Sequence, residues 1–303
     1  MYTASSVASC SRFSVMKTIV RFGYVPMMLL ALNGTAIWLV SGGAAEGWLI
    51  LLLAAVIGAS FLAERVLPYQ DGWNRSHGDG VRDTLHALVN EAANFSTLLI
   101  LPVLTGALAI EGVWPSGWPF PLQVMLAVAV VDVGITLAHY ASHRVELLWR
   151  FHAVHHSVKR MYGFNGLMKH PVHQAIETIA GTTPLVVLGL PPSVATALVF
   201  CVAVQLLLQH SNVDYRVGKL RFVLAVNELH RFHHRKDALL GDVNFGLFTT
   251  FVDHLLGTFH YEERKGRFST DELGIGAEPN YPVGYFEQLL QPFRTAEERA
   301  VAQ

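Results

Sequence analysis

Eleven of the fifteen histidines lie between His139 and His234, in repeated short blocks. In order they read His139-x3-His143, His152-x2-His155-His156, His170-Pro171-x-His173, His210 and His230-x2-His233-His234. On a helix, residues three and four apart share a face, so each block turns its imidazoles in one direction. A neutral imidazole is a strong metal ligand, and a buried one without a partner is costly. The chain must therefore bring several helical segments together around a shared site. A lone HxxxH pair would read as an ordinary surface or core feature; the whole set reads as a metal site.

The donor count narrows the chemistry. A structural zinc site takes four ligands and usually includes Cys. Cys201 is the one cysteine within the block, and it sits in an apolar run as a packing residue. There is no CxxC, and no HExxH to supply the glutamate base of a zinc protease. About ten imidazoles suit two ions of moderate coordination number. Imidazole alone does not choose among iron, zinc, copper and nickel.

The remainder of the chain is apolar. Of 303 residues 52% are hydrophobic and 15% charged, against about 25% charged in soluble domains. The reading is an all-α integral membrane protein with about four transmembrane helices and a membrane hairpin, under a cytoplasmic helical cap. Spans are expected at 24–40, 47–63, 84–110 and 121–138, near or above the seventeen or so residues that cross a bilayer. A hairpin is expected over 175–208, broken at Pro191-Pro192, since proline interrupts helices. This divides the chain into a cytoplasmic lead (1–23), N-terminal transmembrane helices (24–120), a catalytic region (121–262) and a cytoplasmic tail (263–303) that includes a short amphipathic helix at 285–293. Net charge is −1, so no global field points to nucleic acid.

All 22 Lys and Arg lie in 1–23, 64–83, 139–173 or after 215, and the turns at 41–46, 111–119 and around 191 carry none. The positive-inside rule then puts both termini and every histidine block on the cytoplasmic side. Arg outnumbers Lys sixteen to six, a hint of a GC-rich bacterial source, for which the expected location is the inner membrane. Asp132 lies two turns before His139 and reads equally as an interior polar contact or as an acceptor behind a ligand imidazole. His77, His86 and His260 fall outside the blocks and read as ordinary interface or surface residues.

The run Leu148-Trp149-Arg150-Phe151-His152-Ala153-Val154-His155-His156-Ser157, followed by His170-Pro171, resembles the fatty acid hydroxylase/sterol desaturase superfamily. Gln209-His210-Ser211-Asn212, Glu228-Leu229-His230-Arg231-Phe232-His233-His234, Asn244-Phe245-Gly246 and Asp253 through Gly257-Thr258-Phe259 continue the resemblance in the same order. It covers about 121–262 and implies a membrane di-iron oxygenase. His139, His143, His152, His155, His156, His170, His210, His230, His233 and His234 would hold two iron ions, and zinc is a substitute the same imidazoles accept. O2 is the implied co-substrate, and the implied products are an alcohol or an alkene from a lipid C–H bond. His173 stands where relatives often carry an acid, and it reads as backing a ligand in preference to being one. Asp253 is a candidate partner for a ligand imidazole, and His254, where relatives often carry Arg, reads as structural.

No flavin or dinucleotide motif is visible in this sequence, so electrons are expected from a separate carrier, a ferredoxin or a cytochrome b5-like protein with its reductase. Residues 139–236 carry eleven Lys and Arg against four acids, which suits either an acidic carrier or lipid headgroups. The rival reading is a membrane metal-binding or metal-transport protein. A transporter sets its ligands at midplane on broken helices, whereas these blocks lie beside the spans in basic segments. The substrate is expected to come from the membrane, along an apolar cleft between 121–138 and 175–208.

Overall fold

A computed structural model describes residues 4–295 and Glu298, with side chains from residue 14 onward. Its described residues form helices and loops; three isolated bridges are the only β pairing among them. Lipid offers backbone groups no partners, so membrane segments must satisfy them internally, and helices do. α1 (Ala4–Pro26) passes through a π-helical stretch (Met27–Leu32) just after Pro26 into α2 (Asn33–Ser41). Proline lacks the N–H that an α-turn needs, which accounts for the irregular turn there. The sequence places the first span at 24–40, but the helix begins well before it. Nothing in residues 4–23 breaks a helix, and the extension carries Arg21 to Asp214 in the cap, 3.2 Å away.

α3 (Glu46–Val66), α4 (Gly80–Leu108) and α5 (Phe120–Ser142) follow. α6 (Glu146–His156) is short and carries the second histidine block. α7 (Pro171–Leu188) ends at Gly189, whose φ of +87° is cheap only for glycine, and Pro191-Pro192 opens α8 (Pro192–His210). The expected helical hairpin is therefore present. Among the described residues five stretches are long and apolar enough to cross a membrane: Ser14–Ser41, Glu46–Val66, Gly80–Leu108, Phe120–Ser142 and Pro192–His210. In α8, 72% of that stretch is buried, against 17–39% in the other four, so α8 is the central post. Helices α2, α3, α4 and α5 pack around it. Large exposed side chains such as Trp38, Leu51, Leu99 and Val103 cover the outward faces.

The cap is built from loops and the short helices α9 (Asn227–His233), α10 (Ala238–Gly241), α11 (Phe251–Leu256) and α12 (Tyr285–Leu290). Ionic and amide contacts fasten it to the helices. Arg160 donates from Nε and Nη2 to Asp79 (2.7 and 2.8 Å) and from Nη1 to the Trp73 carbonyl (2.6 Å). Glu64, near the end of α3, accepts the amides of Gly163 and Asn212 at 2.8 and 3.1 Å. Gln205 and Gln209 on α8 donate to the carbonyls of Ala225, Leu247 and Gly246, all at 2.7 Å. The polar residues of the post thus hold the cap loop 225–247 in place.

Candidate metal centre

Nine imidazoles converge in two adjoining sets: His139, His143, His152, His156 and His233 in one, and His155, His210, His230 and His234 in the other. In each set every residue offers a ligand nitrogen within 4.8 Å of all the others. Within the first set, Nε2 of His139 lies 2.8 Å from that of His233, and Nε2 of His156 lies 2.9 and 3.1 Å from those of His152 and His143. In the second, Nε2 of His230 and His234 are 3.0 Å apart. All are buried except His143, which is partly exposed. Burial first, and neighbouring imidazoles after it, push His152, His155, His156, His230 and His234 well below their usual pKa. Burial pushes His233 to about 4. These rings are neutral near pH 7, with lone pairs free for a cation.

The sets arise from local folding. The last turn of α5 carries His139, and His143 follows at the C-cap, four residues on. α6 spaces His152, His155 and His156 so that one turn serves both sets, and α9 does the same with His230, His233 and its C-cap His234. His210 closes α8.

His170, an expected ligand, lies outside both sets. Its Nδ1 accepts the Val172 amide at 3.1 Å, capping α7, and its Nε2 donates to the Leu289 carbonyl at 3.2 Å. With Pro171 opening the helix, His170 becomes the N-cap, and its ring turns onto the helix terminus and the C-terminal segment. His173 stands behind the first set, 2.8 Å from His152 Nδ1. Glu177 Oε1 lies 3.2 Å from the same His173 nitrogen, and Glu177 forms a close ion pair with Lys169. Glu177 and Lys169 were missed in the sequence. The signal was there: Glu177 is four residues after His173, on the same helical face.

Asp132 and Asp253 meet no imidazole: Asp132 makes an interior polar contact, one of the two roles weighed for it, and Asp253 does not take the expected place beside a ligand ring. Asp132 accepts the amides of Phe248 and Thr249 at 2.7 and 3.1 Å and the Thr249 hydroxyl at 2.6 Å. Asp253 accepts the amides of Phe245 and Gly246 at 2.8 and 2.9 Å and the Thr258 hydroxyl at 2.7 Å. Their effect reaches the site through the backbone, since the Phe245 carbonyl accepts from His139 Nδ1 at 2.9 Å. The loop between them explains the Asn-Phe-Gly motif. Asn244 takes φ +56°, and a Cβ on Gly246 would fall 2.1 Å from the Thr249 carbonyl oxygen. Outside the sets, His86 is buried and bonds Gln288 (3.0 Å), and His254 bonds the Phe222 carbonyl (2.9 Å). His77 is exposed, and His260 packs against Phe232.

Comparison with known proteins places these residues in a family. The fatty acid hydroxylase family model matches residues 124–258. An ornithine lipid hydroxylase (OlsE) of Rhizobium tropici is 34% identical over 255 residues, covering 81% of this chain and 76% of that protein. The chain belongs to the fatty acid hydroxylase family. An alkylglycerol monooxygenase of Danio rerio is 30% identical over 183 residues, 59% of this chain and 36% of its own length. A very-long-chain aldehyde decarbonylase of Oryza sativa is 26% identical over 302 residues, 89% of this chain and 46% of its own. No solved structure matches. Membership decides for an oxidoreductase over a metal carrier. The donor set fits the family's metal chemistry: nine imidazoles suit iron, and zinc or copper as well.

Two cavities meet the centre. A chamber of about 20 Å³ lies among Ile135, His155, Lys169, Glu177, Leu206 and His210. A mouth of about 690 Å³ reaches His143, His156 and His233. Its rim is ionic, with Arg144, Arg235, Lys236, Asp237 and Asp242, and Leu239 on the lip is 91% exposed. A groove of about 690 Å³ follows α5 and α7 on their outer face, lined by residues such as Val133, Leu137 and Pro184. Among the described residues, this apolar groove is lined by no histidine of either set. Behind it the two backbones touch: a Cβ on Gly134 would fall 2.4 Å from the Ala180 carbonyl oxygen, and one on Gly181 would meet Val131 at 2.6 Å and Ile135 at 3.0 Å. Small residues let the helices close, and Ile135, beside Gly181, lines the inner chamber.

Proposed function

We propose that the chain is a di-iron hydroxylase of an amino-headed membrane lipid, oxidising a C–H bond at or near the headgroup. The observation that carries this reading is the mouth. A rim of paired charges suits a zwitterionic headgroup, and an exposed leucine lip suits the apolar chains that stay in the membrane. The inner chamber of about 20 Å³ is too small for an acyl chain in this conformation. The ornithine lipid named for the Rhizobium relative has a headgroup of this chemistry. Desaturation is the runner-up outcome of the same hydrogen abstraction.

The five-histidine and four-histidine sets would each hold one iron ion, which supplies O2 activation when bound. The protein's residues do the rest. The rim, where Arg144 donates to Asp242 at 2.6 Å, engages the headgroup charges. Trp149 and Ile275 line the passage to the histidines and limit water. The buried rings of both sets keep the ions fixed relative to the bound carbon. Electrons come from a separate carrier of the ferredoxin or cytochrome b5 type.

Lipid extracts of cells with and without the protein test the reading. Tandem mass spectrometry should show a lipid heavier by about 16 mass units, the mass of one oxygen, with the added oxygen in the headgroup fragment. The same gain confined to acyl fragments would overturn the headgroup reading and leave the hydroxylase reading standing. A loss of about 2 mass units would identify a desaturase.

The same reading puts the histidine sets and both termini on the cytoplasmic side of a bacterial inner membrane, on the strength of where the Lys and Arg lie. A reporter fused after Gln303 that works only in the cytoplasm should be active. Activity from a periplasm-only reporter at that site would reverse the orientation.

A further inference from the structure

We propose that the two metal positions are unequal: the five-histidine position takes the first ion and holds it more tightly, and the four-histidine position fills second and exchanges. The inference rests on the metal reading above.

Outer hydrogen bonds differ between the sets. A ring that binds a cation through Nε2 carries hydrogen on Nδ1, and that N–H needs an acceptor if it is buried. In the five-histidine set, Nδ1 of His139 donates to the Phe245 carbonyl (2.9 Å), and Nδ1 of His233 donates to the Val243 carbonyl (2.8 Å). Nδ1 of His152 meets His173 at 2.8 Å. Three rings are thus oriented before a cation arrives. In the four-histidine set only His155 is held, by the Met168 carbonyl at 3.0 Å. Nδ1 of His210, His230 and His234 is buried and meets no partner among the described residues. Binding there leaves N–H groups unsatisfied in a dry interior, which weakens the site.

Charge acts in the same direction. Glu177 lies behind His173 and His152, on the five-histidine side. Its partner Lys169 lines a chamber shared by both sets, and the Lys169 charge disfavours a positive charge at His155 and His210, whereas that of Glu177 favours one at His139. The acid of the pair therefore bears on a ring of the five-histidine set and the base on two rings of the four-histidine set. Asp242 lies 3.7 Å from His143 Nδ1, although Arg144 offsets part of its charge. Access agrees too: His143, His156 and His233 line the mouth, and no member of the other set does.

The test is uptake of ferrous iron by the metal-free, detergent-solubilised full chain under nitrogen, measured by equilibrium dialysis and elemental analysis. Two ions should bind, the first at least about 10-fold more tightly than the second, the scale on which lost outer partners change metal affinity. His210→Ala and His234→Ala should each lose the second ion and keep the first at wild-type affinity. His233→Ala should weaken the first. In the loaded wild type, labelled iron should replace half of the bound iron before the rest. Two ions bound with a single affinity, or loss of the first ion in a folded His210→Ala or His234→Ala protein, would overturn the inequality alone. No uptake by the wild type would overturn the metal reading itself.

Discussion

His233→Ala and His156→Ala, and likewise His155→Ala and His234→Ala, are each expected to abolish turnover and to lower the bound metal. Each ring belongs to a set whose ligand nitrogens lie within 4.8 Å of one another, so each removal opens a whole coordination sphere. Loss of an outer partner alone typically costs about 10–100-fold in metal affinity or activity, and a direct ligand should cost at least that. The comparison residues sharpen the test. His77→Ala and His260→Ala should behave as wild type, since neither ring approaches the sets. His173→Ala should still bind metal at saturating iron, with the first ion held more weakly, and lose most activity, because it touches His152 and not the convergence point. His170→Ala should retain metal, because its ring holds Leu289 and the start of α7. The measurements are metal per protein and product formed with an added reductase. Wild-type product from His233→Ala at equal expression would sink the oxygenase reading. Loss of metal in His170→Ala would return that residue to the ligand set.

Much of this was legible in the sequence because helical spacing and composition carry it. The blocks at 139–143, 152–156 and 230–234 sit at i, i+3 and i+4, and nine of the ten expected ligands do converge. The tenth, His170, fails for a local reason: a residue before proline at a helix start is a cap, and capping competes with ligation. Four of the apolar stretches and the break at Pro191-Pro192 were likewise readable from length and proline, while the fifth, Pro192–His210, was expected only as an arm of the hairpin. The start of α1 was not, because Lys17 and Arg21 mark the edge of an apolar stretch without ending a helix.

What the sequence hid was mostly long-range. Asp132 and Asp253 look like partners for imidazoles, yet both hold amides of the 245–249 loop, more than a hundred residues from Asp132. A carboxylate near a histidine in sequence says nothing about which donor it will meet when a folded loop lies between. The packing of the two apolar segments is long-range in the same way. Apolar faces on 121–138 and 175–208 suggest a cleft, but Gly134, Ala180 and Gly181 make them a contact. Glycine spacing on two separate segments shows its meaning only once the segments are paired.

That contact gives the second large effect. Gly134→Val is expected to destabilise the protein and to strip metal from it. Even the first added carbon would lie 2.4 Å from the Ala180 carbonyl oxygen and 2.8 Å from Gly181 Cα, both backbone atoms that cannot swing aside. The helices must separate, and overpacking of this kind costs about 1–3 kcal/mol or more. Separation also carries the site apart. α5 bears His139 little more than a turn after Gly134, whereas α7 bears His173 and Glu177 behind His152. Gly134→Ala should show the same direction at smaller size. Gly58→Ala and Gly106→Ala supply the contrast, because a Cβ at either position meets nothing within 4 Å. Both lie in membrane helices, where alanine is favoured over glycine by up to about 1 kcal/mol, so neither should lower stability. Thermal unfolding in detergent, with iron content measured on the same samples, separates the cases. A Gly134→Val protein with the wild-type midpoint and full metal would show that α5 and α7 do not meet at these glycines.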